Sequence, residues 1–144
     1  ANIENAGNIK LIAAPGSDHS FSGTTVTLTA NENQNFGDVC FINSSGKAQL
    51  GDADAIATSS CIAMCTATVT SNNATAYLLS GIARDDTWTW TVGGLIYLST
   101  TGTTGNTLTQ TAPSGTDDVV QIIGVATHAD RMIVNFNLMQ IELN

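Results

Sequence analysis

The segment Thr24-Thr25-Val26-Thr27-Leu28-Thr29 alternates with period two and is β-branched almost throughout. A strand with one solvent face satisfies that pattern and a helix does not. Comparable runs recur at residues 38–42, 61–69, 75–83, 88–92, 95–99, 107–111, 119–126, 132–136 and 138–142. Turn signals such as Asn43-Ser44-Ser45-Gly46 and Ser71-Asn72-Asn73 separate them. Helical periodicity is almost absent, and residues 52–60, rich in Ala and Asp, are the one stretch read as a short helix. Many short strands between regular turns predict an all-β fold, a compact β-sandwich or β-barrel of short antiparallel strands.

Residues 1–35 differ from residues 36–144. The first part carries Gly7, Pro15-Gly16 and Gly23 among scattered Asn and Ser, with Ile9-Lys10-Leu11-Ile12 as a strand candidate before the Thr-rich run. It reads as an N-terminal arm or long loop with an edge strand, and the remainder as the sandwich or barrel domain. Ile3, Ile9, Leu11, Ile12 and Phe21 are too apolar for a solvated tail, so the arm is expected to pack, with a neighbouring subunit as its natural destination. A faint internal repeat runs through the body. Val39-Cys40-Phe41-Ile42-Asn43-Ser44-Ser45-Gly46 parallels Leu95-Ile96-Tyr97-Leu98-Ser99-Thr100-Thr101-Gly102, and Ile62-Ala63-Met64-Cys65-Thr66-Ala67 parallels Ile122-Ile123-Gly124-Val125-Ala126-Thr127. Two related β units forming halves of one fold, or chance likeness between short apolar strands, both account for it.

Charge narrows the function. Only 11% of the 144 residues are charged, against about 25% in ordinary soluble domains. Interfaces are poor in Lys, Glu and Asp because burying an unpaired charge is costly. The chain therefore reads as one that gives much surface to neighbours, with a neutral polar coat of Thr, Ser and Asn as the competing account. Net charge is −8, with Lys10, Lys47, Arg84 and Arg131 as the cations, a balance that disfavours nucleic acid and anionic membrane surfaces as partners. No run approaches the length of a membrane span and no basic-then-apolar leader is present, so synthesis in the cytoplasm with reduced thiols is expected.

Chemistry-bearing residues are few. Ser17-Asp18-His19 contains the residue types of a hydrolytic triad, but consecutive side chains diverge, whereas a triad needs His held between its partners. A polar turn after Pro15-Gly16 is the simpler reading. The other histidine, His128, reads as a surface residue at a strand end. Cys61 and Cys65, four apart on an expected strand, share a face with Ala63 and read as buried apolar filler, not metal ligands. Asp52/Asp54, Asp85/Asp86 and Asp117/Asp118 fall in predicted turns. No catalytic residue, no metal site and no cofactor is expected. Thr87-Trp88-Thr89-Trp90-Thr91 places both Trp rings on one side of an extended chain. Core packing, a subunit interface and a sugar-stacking platform are all compatible with that pair.

From about residue 38 to 126 the chain resembles the small β-rich decoration (cement or head-fibre) proteins of tailed bacteriophages. The residues that carry the resemblance are Asp52-Ala53-Asp54-Ala55, Leu78-Leu79-Ser80-Gly81-Ile82-Ala83-Arg84, the 94–102 strand, Leu108-Thr109-Gln110-Thr111-Ala112-Pro113 and Val120-Gln121-Ile122-Ile123-Gly124-Val125-Ala126. A similar order of motifs occurs in some phage fibre and knob modules. The resemblance implies a virion structural protein made in the host cytoplasm and carried on the outer capsid surface. It would form a homotrimer that cross-bridges the major capsid protein, with no enzymatic activity. The alternative it leaves is a fibre-tip or knob module that binds a host receptor or glycan. Interface residues are expected among Ile9, Leu11, Ile12, Phe21, Trp88 and Trp90.

Overall fold

The computed structural model describes the backbone of Asn2 and Ile3 and residues 7–144, so the side chain of Ile3 lies outside the described residues. The architecture is all-β. In chain order the strands are β1 Asn2–Ile3, β2 Ile9–Lys10, β3 Ser20–Thr29, β4 Val39–Ile42, β5 Ala48–Leu50, β6 Ala63–Cys65 and β7 Ala74–Arg84. They continue with β8 Leu95–Thr103, β9 Asn106–Thr109, β10 Val119–Val120, β11 Ile122–His128, β12 Arg131–Asn135 and β13 Ile141–Glu142. Nine of them form one antiparallel sheet in the order β5-β4-β6-β7-β12-β11-β8-β9, with β3 alongside β7.

That order makes the repeat visible. β5-β4-β6-β7 and β9-β8-β11-β12 are the same arrangement met from opposite ends, joined where β7 lies beside β12. The pairing Met64↔Leu78 in the first unit has its counterpart in Gly124↔Val134 in the second. On the neighbouring strands Val39 pairs with Met64 and Ile96 with Gly124, so Val39 takes the place of Ile96 and not of Leu95. A β-bulge between Ile122 and Gly124 absorbs that one-residue offset from the sequence match. The buried Gln121 stitches the units together. Its Oε1 accepts from Cys61 N at 2.9 Å and its Nε2 donates to Cys61 O at 2.9 Å.

β7 is the pivot. One edge pairs with β3 along its whole length, and the other pairs with β6 through Tyr77 and Leu78 and with β12 through residues 80–84. Where β7 passes between the two half-sheets its register with β3 shifts between Thr24 and Thr25, close to Gly81, whose φ is +147°. Gly81 is the register partner of Gly23. A Cβ on Gly23 would sit 2.1 Å from the Ser80 carbonyl oxygen, and one on Gly81 would sit 2.1 Å from the Ser22 carbonyl oxygen. Only glycine permits so close a crossing.

The sheet curls until its ends nearly meet, and side chains complete the closure. Val39 N–H donates to Thr107 Oγ1 at 3.0 Å, joining β4 to β9. The buried Asp38 carboxylate accepts from Asn35 N at 2.8 Å and from Gly105 N at 2.9 and 3.1 Å. Val39, Met64, Leu78, Ile96, Leu98, Ile123, Met132 and Val134 fill the interior. A second cluster of Ala30, Cys40, Leu50, Cys65, Val69 and Tyr77 covers the outer face of the first unit only. Strands β4 and β6 are therefore buried on both faces, which explains their unbroken apolar runs.

Several expected elements change. Residues 88–92 form no strand. Their amides go to loop carbonyls, Trp88 N to Asp85 O at 3.0 Å and Trp90 N to Ala129 O at 2.9 Å. Residues 52–60 yield a single 3₁₀ turn, Ile56–Thr58, without a side-chain cap. The 61–69 run is a strand only at Ala63–Cys65, and Val69 instead exchanges backbone hydrogen bonds with Gln34. Cys61 and Cys65 consequently separate, Cys61 into the interior cluster and Cys65 into the outer one. Within the segment read as an arm, residues 20–29 are a full strand on the edge of the main sheet.

Candidate binding groove and exposed apolar row

Two surface features carry functional content. The first is a groove of about 710 Å³ between the 17–19 turn, the 35–38 loop, the 85–90 loop and β9. An aromatic row runs along it. His19 stacks on Phe36 with ring centroids 5.1 Å apart and planes at 24°. Phe36 lies 6.4 Å from Trp88, and Trp88 lies 5.5 Å from Trp90. Gly37 lets Trp88 approach the backbone, since a Cβ there would be 2.9 Å from Trp88 Cζ2. Both Trp side chains pack on the interior cluster while staying partly exposed. The buried Trp90 Nε1 has no hydrogen-bond partner among the described residues. Period-two exposure survives in 87–91 although the ladder does not: Thr87, Thr89 and Thr91 face out.

Asp38 and Asp85 line the groove beside the aromatics. Burial raises the Asp38 carboxyl from its ordinary value, against the hydrogen bonds from Asn35, Gly105 and Thr107 that pull it down. Asp85, 6% exposed, accepts from Thr87 N at 2.9 Å and from the Thr87 hydroxyl at 2.6 Å, both on Oδ1. Its Oδ2 faces His19 Nε2 at 3.4 Å. The turn read at Pro15-Gly16 is fastened here: Arg84 Nη1 donates to Pro15 O at 2.9 Å, and Asp86 N donates to Asp18 Oδ1 at 2.8 Å. Arg84 Nε pairs with Asp86 at 2.7 Å, a contact that raises the guanidinium further above its ordinary value. No hydroxyl hydrogen-bonds either imidazole among the described residues, and Ser17 is not drawn to His19. His128 is exposed, with Nδ1 2.6 Å from Asp130.

The second feature is a row of apolar side chains on the outer face of the second unit. Leu95, Val125, Ile133 and Ile82 are register partners in succession across β8, β11, β12 and β7. Leu95 is 41% and Ile133 45% exposed. In the first unit the counterparts of Val125 and Ile133 are Cys65 and Tyr77, which are wholly buried beneath Ala30, Leu50 and Val69. The second unit has no such cover among the described residues. Sequence reasoning did not single out this row, because its members alternate with interior residues on strands that read as uniformly apolar. Once the repeat is aligned on the sheet, the difference in cover is plain.

Among the residues expected at interfaces, Ile9 and Ile12 are 57% and 58% exposed and Phe21 is 36% exposed, whereas Leu11 is half-buried. Ile12 N donates to Ser22 Oγ at 2.9 Å, setting the arm beside β3. Trp88 meets Phe36, and Trp90 meets Trp88, in the aromatic row of the groove. No family model, no curated protein and no solved structure matches the chain.

Proposed function

We propose that this chain is a self-assembling structural subunit, a decoration protein on the outer surface of a bacteriophage head. In this reading it is made in the host cytoplasm, acts through surfaces and not through catalysis, and cross-bridges the major capsid protein as a homotrimer. The observation that carries the assembling role is the Leu95–Val125–Ile133–Ile82 row. It is an apolar face in one half of a repeat whose other half covers the equivalent positions with its own chain. Exposed Ile9, Ile12, Leu138, Met139 and Ile141 add apolar surface in both terminal segments. The resemblance supplies the particular partner, and the low charge count supports a chain that gives surface to neighbours.

Native mass measurement is expected to give a trimer, and the purified protein is expected to bind expanded empty heads. Ile133→Asp should leave a folded monomer that no longer binds heads, because Ile133 is already half solvated and the substitution strips no interior contact. A wild-type monomer indifferent to heads would refute the reading. The groove favours a second function, a fibre-tip or knob module for a host receptor or glycan, since Trp88 and Trp90 line it together with Asn35, Asp38 and Asn106. Glycan-array binding that is lost in Asn106→Ala, with the oligomer intact, would decide for that function.

A further inference from the structure

Asp18, His19 and Asp85 converge where the 17–19 turn meets the end of β7. Their donor atoms lie within 4.8 Å of one another. His19 Nε2 is 3.4 Å from Asp85 Oδ2 and 3.7 Å from Asp18 Oδ1. His19 is held for this position, with its backbone in the left-handed region at φ +54° and its ring stacked on Phe36.

Asp85 supplies the independent observation. Its side chain is more than nine-tenths buried and its Oδ1 is committed to Thr87. Its Oδ2 accepts no hydrogen bond among the described residues, and the His19 contact is a proximity without hydrogen-bond alignment. On a side chain more than nine-tenths buried, that oxygen is the part still reached by solvent, and it faces His19.

We propose that Asp18, His19 and Asp85 bind a divalent transition-metal ion of the zinc class at the head of the groove. One imidazole and two carboxylates suit such an ion better than magnesium or calcium, which take oxygen ligands. Ligand distances of about 2.0–2.2 Å put tetrahedral ligand atoms about 3.4 Å apart. The His19–Asp85 pair already has that spacing. Asp18 Oδ1, held by His19 N and Asp86 N, lies 3.7 Å from His19 Nε2, close to the same spacing. The ion completes the charge at Asp85, ties the segment before β3 to the end of β7, and leaves its open coordination positions facing the groove.

The test is titration calorimetry of the chelator-treated full chain with zinc chloride, with melting temperature as a second reading. One ion per chain is expected, with a melting temperature that rises as zinc increases. His19→Gln and Asp85→Asn should each weaken binding about tenfold or more. Asp86→Asn and His128→Ala should leave it unchanged. If Asp85→Asn fails to fold, the exposed substitutions His19→Gln and Asp18→Asn decide. Absence of saturable binding to the wild type overturns the proposal, as does full-strength binding in His19→Gln. Loss confined to His128→Ala would place the ion on the His128–Asp130 pair and overturn it equally.

Discussion

Asp38 is the residue whose replacement tests the closure of the fold most directly. Its carboxylate holds Asn35 N and Gly105 N, and the Thr107 hydroxyl approaches it at 3.4 Å. Asp38→Ala leaves two backbone N–H groups without their acceptor around a residue that is 1% exposed. At about 1–3 kcal/mol for each stranded donor, and with the cost of a buried charge relieved, the net loss is about 3 kcal/mol. That is a large part of the roughly 5–15 kcal/mol that stabilises a domain. Asp38→Asn keeps one oxygen in the Oδ2 place for both amides but sets its NH₂ against Gly105 N–H in the Oδ1 place, so its cost is expected at about 1–2 kcal/mol.

The two variants also differ from the wild type in pH dependence. Burial raises the folded Asp38 carboxyl above its value of 3.8 in the unfolded chain. Folding then takes up a proton between the two values, so this stabilising contribution is complete below 3.8 and is lost as pH rises through the raised value. Urea unfolding followed by Trp fluorescence, from pH 4.5 to 7, should show the wild type losing its advantage over Asp38→Asn as pH increases. Asp38→Ala within about 0.5 kcal/mol of wild type, the range of an inert surface change, would refute the closure role. A wild-type advantage over Asp38→Asn that grows with pH would refute the assigned origin of the shift.

Other consequences follow from the same packing. Gly23→Ala should cost about 3 kcal/mol or more in urea unfolding, because its methyl would meet the Ser80 carbonyl. Gly16→Ala, which opens onto free space, should change the midpoint little. Burial raises the Cys40, Cys61 and Cys65 thiols, and all three are free and enclosed. A chromogenic disulfide reagent should therefore label none of them in the native protein and all three after denaturation. Tyr77→Phe removes the 2.6 Å hydrogen bond to Gln34 Oε1 and leaves that oxygen only the weak Cys40 thiol at 3.4 Å. Its expected cost is about 1–2 kcal/mol by thermal melt.

Local chemistry made most of the fold legible. The Thr-rich alternation predicted the core of β3, and the apolar run ending at Asn43-Ser44-Ser45-Gly46 predicted β4 and its turn. The repeat in 39–46 and 95–102 anticipated a sheet that reads the same from both ends. Residues 88–92 have the side-chain alternation of a strand, but their amides go to loop carbonyls and to the Gln110 side chain instead of a neighbouring ladder. The 61–69 run is apolar because β6 is enclosed on both faces, and continuous burial does not mark where a ladder stops. For the site, Ser17-Asp18-His19 was visible as a turn, and Asp85 as a turn carboxylate.

That this chain is all-β, and where most strands and turns lie, follows from period-two alternation, β-branching and turn residues, which act over a few neighbouring positions. The sequence also carried the repeat and the scarcity of charge. Only the tertiary structure decided which outer face is covered and which is bare, and that Asp85 meets Asp18 and His19 at one groove. Those outcomes depend on strand order and register between distant segments, chiefly the long pairing of β3 with β7. Local periodicity holds no record of such pairings, because each strand's pattern is equally satisfied by many neighbours.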